Sequence, residues 1–107
     1  MSNFKAALES DILETFFNEA EFAETAIING EPMLIIKDDH ELEKYNIKAY
    51  EEELTRGELL FHVPVVSFHG KKPFRDMQIS VGNRPYYVTD ISESDGVYRI
   101  VLVGYGS

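Results

Sequence analysis

Apolar positions recur at two different periods along this chain. Near the N-terminus the period is helical. Phe4, Leu8, Ile12 and Phe16 fall four apart, and Ala7, Leu13, Phe17 and Ala20 widen the stripe. Ser2 or Asn3 is placed to cap the first turn by accepting a backbone N–H, while Asp11 and Glu14 sit away from the stripe. The pattern predicts a helix over 3–20 within an N-terminal segment 1–20. Three phenylalanines on one stripe must be covered, either by the open end of the chain's own sheet or by a neighbouring subunit.

From residue 21 the period shortens and turn residues punctuate it. Glu21–Ile28 and Glu31–Lys37 flank Asn29-Gly30, the strongest short-range signal for a hairpin. Pro32 has no N–H to give to a ladder, so it belongs at the start or exposed edge of its strand. Residues 58–68 read as a strand pair or one bent strand, with Pro64 implying an edge or a bulge. Residues 78–103 alternate strand, Gly82-Asn83 turn, strand, Asp95-Gly96 turn, strand, and β-branched and aromatic residues fill the segments between. Alternation there puts Tyr86 and Tyr87 on opposite faces, one in the core and one at the surface.

Residues 38–57 break this pattern. They show no strand alternation, only a weak helical spacing of Leu42, Tyr45 and Ala49, with Tyr50 at its margin, and an acidic composition that permits disorder in the isolated protein. They are expected to form a long acidic inter-strand loop, and a connection of that length is commonly functional or mobile. The whole predicts a single domain over 1–107. It is mainly β with a minor α+β character: one N-terminal helix, then a six- or seven-stranded antiparallel β barrel or sandwich.

Charge and composition narrow the function classes. The 107 residues carry 10 Lys and Arg against 19 Asp and Glu, a formal charge of −9. The excess is uneven: residues 38–53 hold two lysines against seven acids, whereas residues 57–107 hold five Lys and Arg against five acids. Phosphate backbones are held by Lys and Arg, so specific nucleic-acid binding is not expected. Solubility is the plain reading of the excess. There is no cysteine, which removes disulfides, zinc fingers and thiol catalysis. No apolar run approaches the roughly 20 residues of a membrane span, and no membrane partner is expected.

Candidate chemistry is sparse. Asp38-Asp39-His40-Glu41 has metal-ligand residue types, but contiguous side chains diverge, so a solvated acidic turn is the expectation. His62, in an apolar strand, reads as a satisfied half-buried side chain, and Ser67 and Ser80 lack a nucleophile elbow. The chain is therefore expected to be no enzyme and to take no cofactor or metal. What remains are contact surfaces. Lys71, Lys72 and Arg75 form a basic patch around Phe74. Glu51, Glu52 and Glu53 form an acidic run that could meet that patch on an identical chain, giving a ring-closing contact. Tyr105, between Gly104 and Gly106, is a candidate interface anchor.

Several segments together carry a resemblance. Phe16-Phe17-Asn18 leads into Glu21-Phe22-Ala23-Glu24, and a hairpin follows at Ile28-Asn29-Gly30. Next comes an acidic Asp38-Asp39-x-Glu-Leu segment. The chain closes with Gly82-x-Arg-Pro-Tyr-Tyr-Val-Thr-Asp-Ile, an Asp-Gly turn and a last strand. In order and spacing, over nearly the whole chain, this resembles prophage proteins of Gram-positive bacteria related to the head–tail joining proteins of lambda-like tailed phages. The resemblance implies a compact antiparallel barrel or sandwich and a structural, non-enzymatic role. It implies a ring of copies at the virion neck that contacts the head connector (adaptor) and tail proteins, with DNA passing through. It also implies assembly in the host bacterial cytoplasm. The alternative is a small acidic monomeric inhibitor or adaptor that binds a basic protein target.

Overall fold

The turns set the topology. In the computed structural model, which describes residues 23–104, Asn29 and Gly30 both take positive φ, 52° and 84°. That is the type I′ geometry a two-residue hairpin requires. It joins β1 (Ala23–Ile28) to β2 (Glu31–Lys37), paired antiparallel from Ala23↔Ile36 to Ile28↔Glu31. Asp95 and Gly96 repeat the arrangement, with φ of 53° and 78°, between β5 (Arg84–Ser94) and β6 (Val97–Gly104). Gly82 supplies the positive φ between β4 (Gln78–Val81) and β5. With β3 (Leu59–Pro64) the strands close into an antiparallel barrel in the order β1-β2-β3-β6-β5-β4.

Alternation fills the barrel. Ile28, Met33, Ile35, Phe61, Val63, Ile79, Tyr86, Val88, Tyr98, Ile100 and Leu102 point inward and form one cluster. Phe68 joins them from a 3-10 turn over Val65–Phe68, its ring meeting the edge of Tyr98 at 5.6 Å between centroids. Tyr86 is buried and Tyr87 faces out, as the alternation predicts.

One departure from alternation matters. Counting by twos from Tyr86 and Val88 would send Asp90 into the core. The ladder instead shifts between Val88↔Leu102 and Asp90↔Val101, making Thr89 the extra residue of a bulge. The slip reverses parity. Ile91 then packs against the core, and Asp90 faces outward between Arg75, 2.9 Å away, and Arg99, 3.5 Å away.

The barrel closes through narrow seams. β1 meets β4 at Ile28↔Val81, extended by backbone bonds Asn29 N–H to Ser80 O (3.0 Å) and Gly82 N–H to Ile27 O (2.7 Å). Asn29 Oδ1 also accepts the Ser80 N–H at 2.9 Å, so one residue both makes the turn and locks the seam. β2 meets β3 only over Ile36–Lys37. Pro32, near the start of β2, lies beyond that pairing and is exposed.

Two expectations are corrected. The segment 38–57 is not one long loop, for residues Asp39–Glu51 form a helix, α1. Residues 58–68 are neither a strand pair nor a bent strand: β3 ends at Pro64 and the 3-10 turn follows. The described residues hold six strands. The helix expected over 1–20, and Tyr105, lie outside the described residues.

Candidate functional site

Helix α1 is capped at both ends by its own sequence. Asp38 is the N-cap, and its Oδ1 accepts the Glu41 N–H at 3.0 Å. Asp39 and Glu41 place negative charge in the first turn, where the helix dipole favours it. Asp38 was therefore a helix N-cap rather than part of a metal cluster or a free turn; its own N–H goes to Leu60 O, so Glu41 does not complete a capping box. Among the described residues no group of three His, Cys, Asp or Glu converges as metal ligands. At the other end Glu53 N–H reaches Tyr50 O and Leu54 N–H reaches Ala49 O, the paired bonds of a Schellman motif. Its left-handed position is taken by Glu53, at φ 57°, where glycine is the usual occupant.

α1 lies over the outer face of β3 and β6. Asp38 N–H donates to Leu60 O at 3.0 Å, and Asp38 Oδ2 stands 3.2 Å from His62 Nε2. Glu41 lies 3.9 Å from Arg99 Nε. Ala49 of α1, with Leu60 and its cross-strand neighbour Val101, is buried outside the barrel's own core cluster. Gly57, on the return to β3, seals this second layer.

The His62 and Glu41 contacts tie a carboxylate at the helix start to the sheet. The Glu41 N–H holds the Asp38 carboxyl below the ordinary aspartate range; burial opposes this, and the His62 hydrogen bond adds to the lowering. A carboxyl depressed in the folded state contributes stability above its unfolded pKa, about 3.9 for Asp, and that stability is lost as pH falls through the folded value. Asn is as good an N-cap as Asp, so Asp38→Asn removes the titration and keeps the cap. The stability gap between wild type and Asp38→Asn, read by urea unfolding, is expected to be present at pH 5 and to close below pH 4. A gap unchanged down to pH 2 would refute this.

The residues anticipated as contacts separate into two neighbourhoods. Glu51 ends α1 and borders an open groove of about 670 Å³ along one flank of the helix. Leu42, Ile47, Tyr50 and Leu54 give the groove its apolar floor. Glu52 is the C-cap and lines a second cavity, about 570 Å³, on the other flank. Arg75 lines that cavity too, together with Lys44, Lys48 and Arg99. The chain thus brings Glu52 and Arg75 to one hollow by itself, and Arg75 is engaged by Asp90. Lys71 and Lys72 are exposed on the connection before β4 and line neither hollow.

Ile47, Tyr50 and Leu54 were not anticipated as a surface. The sequence carried a signal for them: on a helix, Ile47 and Tyr50 fall on a different flank from Tyr45 and Ala49. That signal becomes readable only once 39–51 is known to be helical.

No family model matches the chain, and no curated protein matches it. Among solved structures, one described as an ATP-binding sugar transporter-like protein from Salmonella typhimurium matches with a TM-score of 0.52 at 16% identity, over 98% of this chain and 100% of that one. At that identity the likeness shows a shared fold alone.

Proposed function

We propose that this chain is a structural joining protein of a tailed phage or prophage, a barrel subunit that works by being bound rather than by catalysis. In this reading copies form a ring at the virion neck between the head connector and the tail, assembled in the host cytoplasm. The supporting observation is the surface of α1. Ile47 and Tyr50 on α1 and Leu54 just past its C-cap are exposed together, while the helix buries Ala49 against the barrel, and this leaves a surface suited to burial against another protein. The exposed cations Lys71 and Lys72 and the acidic Glu51–Glu53 run remain the candidate contacts between copies. The acidic rim of the groove also favours a second reading, a small acidic adaptor for a basic protein target.

Deletion of the coding sequence followed by prophage induction separates the two. DNA-filled heads beside separate, complete tails in negative-stain micrographs are the expected result. Normally joined particles would remove the protein from the neck and leave the adaptor reading.

A further inference from the structure

We propose that the outer flank of α1 is a docking groove for a basic amphipathic helix of a partner protein. This rests on reading the chain as a protein-binding barrel, and it names the chemistry of the partner.

The fold does not account for this flank. Seating α1 on the sheet uses its other stripe, on which Ala49 is buried. Ile47 is 57% exposed, Tyr50 86% and Leu54 56%. These are three of the six large hydrophobic residues exposed among the described residues, and they fall within eight positions. With Leu42 they line one groove. The 13 residues of α1 span roughly 20 Å at 1.5 Å per residue, room for about three turns of a partner helix.

Charge selects the occupant. The groove is bordered by Asp39, Glu43 and Glu51 against the single cation Arg56. Lys44 and Lys48 stand on the opposite flank, in the other cavity. Glu52, Glu53 and the negative end of the helix dipole extend the acidic field past the C-terminus of α1. A second copy of α1 would bring carboxylates against carboxylates. The apolar stripe of residues 3–20 is equally ill-matched, since residues 1–24 carry one lysine against six acids. A helix with leucine-like anchors at i, i+3 or i+4 and i+7, and Lys or Arg beside them, satisfies both the floor and the rim.

The test is a titration of the isotope-labelled full chain, followed by NMR. One probe is a synthetic 15-residue Leu–Lys peptide with leucines at helical spacing; the other is its Leu–Glu counterpart. The Leu–Lys peptide is expected to shift resonances of residues 39–56. Its affinity is expected to fall at least tenfold with Ile47→Ser plus Tyr50→Ser, both solvent-facing positions. Glu43→Gln plus Glu51→Gln is expected to weaken it and flatten its salt dependence. The Leu–Glu peptide is expected not to bind. Equal binding of both peptides, shifts centred elsewhere, no binding, or insensitivity to Ile47→Ser plus Tyr50→Ser each overturns the proposal. So does self-association of the free chain that Ile47→Ser abolishes, because a second copy would then own the face. Peptide binding with normally joined particles after gene deletion would keep the groove and remove the neck role. Failure of the peptide with separated heads and tails would do the reverse.

Discussion

Replacing Gly57 with alanine is expected to destabilise the protein by about 2 kcal/mol, the middle of the range for forcing one extra carbon into a packed site. The reason is space. A Cβ at Gly57 would stand 2.4 Å from Val101 Cγ1, 3.2 Å from Leu42 Cδ1 and 3.5 Å from Tyr45 Cδ1. Val101 cannot yield easily: it is fully buried, β-branched, and fixed in the β6 ladder opposite Leu60. Relief must come from lifting α1 or the return segment off the sheet. For a domain of this size each kcal/mol shifts the midpoint by roughly 4–8 °C, so the thermal transition should fall by about 10 °C. A change below about 0.5 kcal/mol, ordinary for a surface position, would mean that α1 is seated loosely. By contrast, the three atoms nearest a Cβ at Gly104 all belong to the carboxylate end of the exposed Glu58 side chain, which can swing away. Gly104→Ala therefore serves as the control.

The difference between those two glycines shows what the sequence carries openly and what it does not. Turns are local, and each is written in two residues. Asn29-Gly30, Gly82-Asn83 and Asp95-Gly96 could be placed because positive φ has few tenants, and the three hairpin connections followed. The barrel closure was less accessible. The Asn29 bond to Ser80 spans 51 residues, and nothing near either residue announces it. The Thr89 bulge is legible only in retrospect, as the parity break between Val88 and Ile91. Helix α1 was read as loop because the stripe it buries is narrow and its charges dominate the composition. Its N-cap, Asp38 with acids following in the first turn, was the better signal, whereas the Schellman turn has Glu53 where a glycine would have announced it. Once the helix was missed, its exposed flank could not be seen. The acidic run at 51–53 was then read as a free loop rather than as the capped end of a helix.

The second large effect concerns the residue that holds the return segment in place. Asn46, on α1, makes both of its amide hydrogen bonds to Gly57: Nδ2 donates to Gly57 O at 3.0 Å, and Oδ1 accepts the Gly57 N–H at 2.8 Å. A side-chain amide thereby does for a buried residue what a neighbouring strand would do. Asn46→Ala is expected to cost about 2–3 kcal/mol, because it removes the partner of two buried backbone groups at once and an unsatisfied buried group costs about 1–3 kcal/mol. Asn46→Asp should recover little. It keeps the acceptor for Gly57 N–H but turns a carboxylate oxygen toward the Gly57 carbonyl. Urea unfolding with an unchanged m-value reads the loss as stability. Hydrogen exchange is expected to quicken first in residues 52–58, as local opening of the released segment. Asn46 and Gly57 act on one contact, so the double variant should fall short of additivity by about 1 kcal/mol, where independent sites agree within about 0.5. Full additivity would show that the clamp and the tight packing are separate features. The clamp also bears on binding. Leu54 and Arg56 of the groove ride on the segment it secures. The apolar floor and its one cation therefore keep their places only while a side chain of α1 holds the backbone that follows it.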